Sequence, residues 1–177
     1  MLRTYAEIEA IVDKFRNEHG LELGDLAGFV DATKVAVKAV DFVGKDEGKS
    51  GFIKREGDSY TIHVNVAHAL TRQRFTIAHE LGHYCLDHMQ NKRLIVDDET
   101  VGAVLHRSGG AYSDIANPSD ETVMEIEANR FAAALLMPKQ LVERYWAYSP
   151  DIRFLASNFK VSEQAMRVRL QVLGLIV

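Results

Sequence analysis

Residues 75–83, Phe-Thr-Ile-Ala-His-Glu-Leu-Gly-His, constrain this chain more than any other stretch. A helix predicted over 72–88 carries His79 and His83 four residues apart, so both rings fall on one stripe with Glu80 on its shoulder. Ile77, Ala78, Leu81 and Cys85 fill the far side. The helix is then apolar nearly all round, which predicts burial. Two imidazoles in a core need partners, because an unsatisfied buried polar group costs roughly 1–3 kcal/mol. A shared metal ion is one solution, and H-E-x-x-H is the spacing that turns both rings onto a single zinc, with the glutamate close to a bound water. Two hydrogen-bonded core histidines are the plainer alternative. Gly82 lacks a side chain and would let another segment approach closely. Cys85 lies about 140° from the ligand stripe and reads as a core cysteine, not a ligand.

Two histidines do not complete a catalytic zinc, which has three protein ligands and an open position. The extended H-E-x-x-H-x-x-G-x-x-H pattern is excluded, because Leu86 and Met89 stand where it needs glycine and histidine. His88 falls one residue short and, on the same wheel, faces away. A second strong helix is predicted over 121–137, stopped by Pro138. Glu125, Asn129, Ala132, Ala133 and Leu136 share one stripe of it. Glu127 points to the other side with Arg130 and Ala134, toward solvent, and Glu121 lies near the frayed end. Glu125 is therefore the expected third ligand, with Asn129 one turn on to orient a ligand from behind.

The rest of the chain predicts an α+β fold in a single domain over 1–177. An amphipathic N-terminal helix occupies 1–20, with Thr4 and Glu7 as a capping box, Ile8, Ile11, Val12 and Phe15 on its apolar stripe, and Gly20 at its end. Residues 21–32 are ambiguous. A small antiparallel or mixed sheet spans 35–66, built from Val35–Val43 and a hairpin of Phe52–Arg55 and Tyr60–Val66 turning at Gly57-Asp58. Tyr60, Ile62, Val64 and Val66 share one face; His63 and Asn65 take the other, His63 as a packed or solvated residue and not a ligand. Thr71 is placed to cap the metal helix. Residues 92–118 are polar and irregular, and 151–174 form a helical tail with a helix-turn-helix pattern.

With 177 residues, 47% of them hydrophobic, the chain suits one soluble domain. A net charge of −4 gives no sign of bulk nucleic-acid binding. One cysteine cannot make an internal disulfide, the first residues lack a secretory pattern, and no apolar run approaches the roughly 20 residues of a membrane span. A reducing cytoplasm is the expected compartment.

Arg72–His83, followed some forty residues on by Glu-Ile-Glu-Ala-Asn-Arg-Phe-Ala-Ala-Ala-Leu-Leu-Met-Pro (125–138), resembles the ImmA/IrrE family of metallo-endopeptidases. The strand Ile62-His-Val-Asn65 and the tail from Leu155 to Leu170 resemble it as well, so the likeness runs over roughly residues 50 to 175. It implies a zincin-like fold, one zinc per chain held by His79, His83 and Glu125, and Glu80 as the catalytic carboxylate. Family members typically cut a helix-turn-helix repressor, and the absence of a sensor-like C-terminal domain suggests the short, mobile-element or toxin–antitoxin-associated type. The implied partner is a repressor or antitoxin, with neither membrane nor direct nucleic-acid contact.

The chemistry expected at such a site is attack of water on a peptide carbonyl, with Glu80 taking the proton and returning it to the leaving amine. An extended substrate would pair with an edge strand, Phe52–Arg55 or Tyr60–Val66. Tyr112, His106 and Arg107 are candidates for the oxyanion donor only by lying between the two motif helices. Two other readings compete. One is a DNA-binding regulator acting through 151–173, with Arg153, Lys160, Arg167 and Arg169. The other is a toxin or partner-binding protein whose proteolysis is latent or absent.

Overall fold

A computed structural model describes residues 2–44, 47–89, 94–97 and 119–177. The N-terminal helix begins as its capping box dictates. The Thr4 hydroxyl accepts the Glu7 N–H, and the Glu7 carboxylate accepts the Thr4 N–H at 2.7 Å, starting α1 (Tyr5–His19). Gly20, left-handed at φ 65°, ends it. The ambiguous stretch resolves into a short helix, α2 (Leu26–Thr33), capped by the Asp25 carboxylate on the Gly28 N–H.

Three strands follow: β1 (Ala36–Val40), β2 (Gly51–Glu56) and β3 (Ser59–Asn65). β2 and β3 form the predicted antiparallel hairpin, with Gly57 left-handed in the turn. β1 runs parallel to β3, and a fourth strand, β4 (Leu94–Asp97), lies antiparallel to β2. The order is β1-β3-β2-β4, so the sheet is mixed. Both hairpin strands are interior. The expectation that one of them is the edge is corrected, because β1 and β4 flank them. The inner face carries Ile53 opposite Ile62 and Gly51 opposite Val64, all buried. On the outer face the His63 ring stacks on Phe52 at 4.4 Å, so it is a packed strand residue.

The metal-motif helix, α3 (Leu70–Cys85), lies across the inner face against β2 and β3. The approach is close at Gly51: a methyl group there would sit 2.5 Å from the Thr76 side chain. Thr71 does not cap this helix, which already begins at Leu70 with no side-chain cap bond. Its entry is held instead by Asn65, which accepts the Ala67 N–H and donates to the Lys49 carbonyl, and by Gln73, which reaches back to the His68 carbonyl. Asn65 is therefore buried at the strand end.

The second motif helix, α4 (Asp120–Leu136), is capped by Ser119 and packs along α3 on one side and α1 on another. After Met137 the chain forms α5 (Lys139–Tyr148), where the sequence reading assigns no element. Pro138 ends one helix and starts the next, as its fixed φ allows. The tail is α6 (Ile152–Phe159) and α7 (Glu163–Val172), each capped by a side chain, Asp151 and Ser162. Among the described residues no helix is long and apolar enough to cross a membrane.

Candidate metal centre

Helices α3 and α4 can approach closely because Gly82 faces Ala128. A methyl group on Gly82 would stand 3.1 Å from the Ala128 Cα and 3.2 Å from its carbonyl oxygen. This proximity brings Glu125, on the preceding turn of α4, over the two histidines of α3. His79 Nε2 lies 3.0 Å from His83 Nε2, and the Glu125 carboxylate lies 3.1 Å from the first and 3.3 Å from the second. Three donor atoms thus surround one point. Glu80 is fully buried beside them on α3.

Each ring is oriented from behind. Asn129, one turn beyond Glu125, presents its side-chain oxygen 2.9 Å from His79 Nδ1. That pairing puts the ring hydrogen on Nδ1 and leaves the Nε2 lone pair aimed at the shared point. His83 Nδ1 meets His88 Nδ1 at 3.0 Å. His88 in turn meets the Glu127 carboxylate through Nε2 at 3.2 Å.

These last contacts correct two sequence readings. His88 does not face away, because α3 stops at Cys85 and Asp87 takes a left-handed conformation, φ 64°. The helical wheel no longer applies beyond that turn, and the chain folds His88 back against His83. Glu127 does not face solvent; it is 1% exposed. The side of α4 away from the ligands is covered by the N-terminal segment, where Arg3 donates its backbone N–H (2.7 Å) and its guanidinium to Glu127. Ala134, on the same side, is buried too. The apolar neighbours Ile126 and Ala128 on either side of Glu127 were a sequence signal for its burial. Nothing in the sequence pointed to Arg3.

Burial sets the protonation states. It pushes His83 down to about 4, assisted by the neighbouring His79 and His88, so the ring is neutral at neutral pH. His88 is also held below its ordinary value by burial, although Glu127 pulls the other way. For Glu125, burial alone would raise the carboxyl, but the adjacent His79 and His83 rings outweigh it and hold the group well below the usual carboxylate range. Neutral imidazoles and an ionised carboxylate are the forms that bind metal. The spacing also fits: ligand atoms about 2.0–2.1 Å from a tetrahedral zinc stand roughly 3.3 Å apart. Cys85 stays off the site, its thiol raised to about 12 by burial. Tyr112, His106 and Arg107 lie outside the described residues.

Comparison with known proteins gives the family and the fold. Residues 30–171 match the family model of the IrrE N-terminal-like domain, peptidase family M78, and the chain belongs to the ImmA/IrrE family. Among curated proteins none matches the sequence. A solved Mycobacterium tuberculosis transcriptional regulator shares the fold, with a TM-score of 0.64 at 15% identity over 94% of this chain. The match takes in 46% of that protein, so this chain spans less than half its length.

Proposed function

We propose that the chain is a zinc-dependent endopeptidase of zincin-like fold, with residues 1–177 forming one domain. Its substrate is a helix-turn-helix repressor or antitoxin encoded nearby, cut in the cytoplasm to release the genes it controls. The observation carrying this reading is the convergence of His79, His83 and Glu125 on one point beside a buried Glu80. When bound, zinc supplies Lewis acidity, polarising a carbonyl and easing the ionisation of water. The chain's own residues do the rest. Glu80 takes the proton of the attacking water and delivers it to the departing amine. Asn129 keeps the His79 ring turned toward the site. The backbone of β4, the antiparallel edge of the described sheet, offers an extended substrate a strand to pair with. The shared fold of a protein described as a transcriptional regulator supports a link to transcription.

Glu80→Gln tests the reading. It should bind zinc like the parent and lose cleavage of the neighbouring repressor by at least about 100-fold, as loss of a general base does. Cleavage by this variant at the parent rate would remove Glu80 from the mechanism.

A second reading, a partner-binding protein with latent proteolysis, draws on the burial of Glu80, because a general base must reach water. The same assay separates them: a latent chain leaves the repressor intact even with wild-type Glu80. The DNA-binding reading loses support in α7, where Arg169 is buried and committed to internal bonds.

A further inference from the structure

The two candidate ligands are steadied by different means. His79 leans on an amide that shares α4 with Glu125. His83 leans on a line of groups that leaves the site altogether: His83 Nδ1 to His88 Nδ1, His88 Nε2 to Glu127 Oε2, and Glu127 to the backbone and guanidinium of Arg3. The side chains of His83, His88 and Glu127 are all buried, so water does not compete along it.

We propose that His88, backed by Glu127 and Arg3, is a positioning residue that sets the tautomer of His83 for metal binding. The direction of each bond follows from the groups. An ionised carboxylate only accepts, and Arg3 already donates to Glu127, so the hydrogen between Glu127 and His88 belongs to His88 Nε2. A neutral imidazole protonated at Nε2 presents a lone pair at Nδ1. His83 must then supply the hydrogen of the next bond from its own Nδ1, and its Nε2 is left bare, facing Glu125 and His79 Nε2. Arg3 fixes the sense of the whole line from its far end. A segment distant in sequence thereby takes part in holding the metal, and a ring placed just past the end of α3 does what Asn129 does for His79. Groups behind a metal ligand that fix its tautomer typically contribute 10–100-fold in affinity.

The inference rests on the zinc reading above, and its test keeps the two apart. Zinc affinity is measured by chelator competition for the parent, His88→Ala and His88→Gln, with the thermal midpoint of each metal-free protein as a control. The parent should bind zinc tightly, and His88→Ala should lose about 10–100-fold. His88→Gln should recover most of that loss, because an amide can accept from His83 and donate to Glu127 together. Parent-like affinity in a folded His88→Ala overturns the positioning role and leaves the metal centre standing. Failure of the parent itself to bind zinc overturns both. Nitrogen-15 spectra of the metal-free parent give a second readout that needs no variant. Hydrogens on His83 Nδ1 and His88 Nε2 are expected, and a hydrogen on His83 Nε2 in place of Nδ1 contradicts the proposal.

Discussion

His83 carries the electrostatic mark of its burial. Its ring is neutral because charging it would require solvation the core does not provide, and the folded protein holds it near 4 against an ordinary 6.5. Glu125 is depressed as well. Both shifts act in one direction. The unfolded chain binds the protons more readily: the His83 contribution is full above about 6.5 and is lost as pH falls toward 4, whereas the Glu125 contribution is lost only as pH falls below about 4.5. The metal-free protein should show a thermal midpoint that drops steadily across that window; a flat profile would contradict the buried, neutral ring. At this scale the sequence was informative about the candidate ligands and Asn129, and poor about what stands behind His83. Helical spacing alone aligned His79, His83, Glu125 and Asn129. It failed for His88 because one left-handed residue, Asp87, ends the periodicity, and for Glu127 because a wheel shows direction without showing what covers that side.

Among the elements, the α3–α4 pair decides whether a site exists at all. Gly82→Ala tests the contact. Alanine improves helix propensity by about 1 kcal/mol, but the added methyl meets backbone atoms that cannot rotate away, and overpacking of this kind costs roughly 1–3 kcal/mol. The clash should win by a small margin, lowering stability by about 1 kcal/mol in urea unfolding. Separation of the helices should weaken zinc binding as well. A variant more stable than the parent, with unchanged affinity, would show that the helices have slack. The sheet was legible in part. Alternating apolar residues and Gly57-Asp58 gave the hairpin, since both signals are local. The pairing of β1 with β3 and of β4 with β2 is long-range, and no local pattern specifies it. The helix α5 was missed because Pro138 reads as a stop, although it also serves as a start.

On the scale of the whole molecule, two arginine contacts join the termini to the centre. Arg3 reaches Glu127 beneath the candidate metal site. Arg169 on α7 donates to the Met137 carbonyl at 3.0 Å and to Glu9 of α1 at 2.7 Å. The tail with the helix-turn-helix pattern is therefore built into the core, and α7 spends on packing the residues Met166, Arg169 and Leu170. Arg169→Met should destabilise the protein by about 1–3 kcal/mol, since it leaves the Met137 carbonyl without its donor and the half-buried Glu9 without its ion partner. Glu9→Gln in the same chain should recover part of that, and strictly additive losses would mean the two groups are not coupled. DNA affinity should be equally low in parent and variant.

The proposed chemistry requires three side chains to act as one metal site. Calorimetric titration of the metal-free chain with zinc addresses this directly, using the parent and Glu125→Ala side by side. One equivalent of zinc should bind to the parent, with no stoichiometric uptake by Glu125→Ala. Equal binding by the two proteins, or none by the parent, would contradict the proposed chemistry.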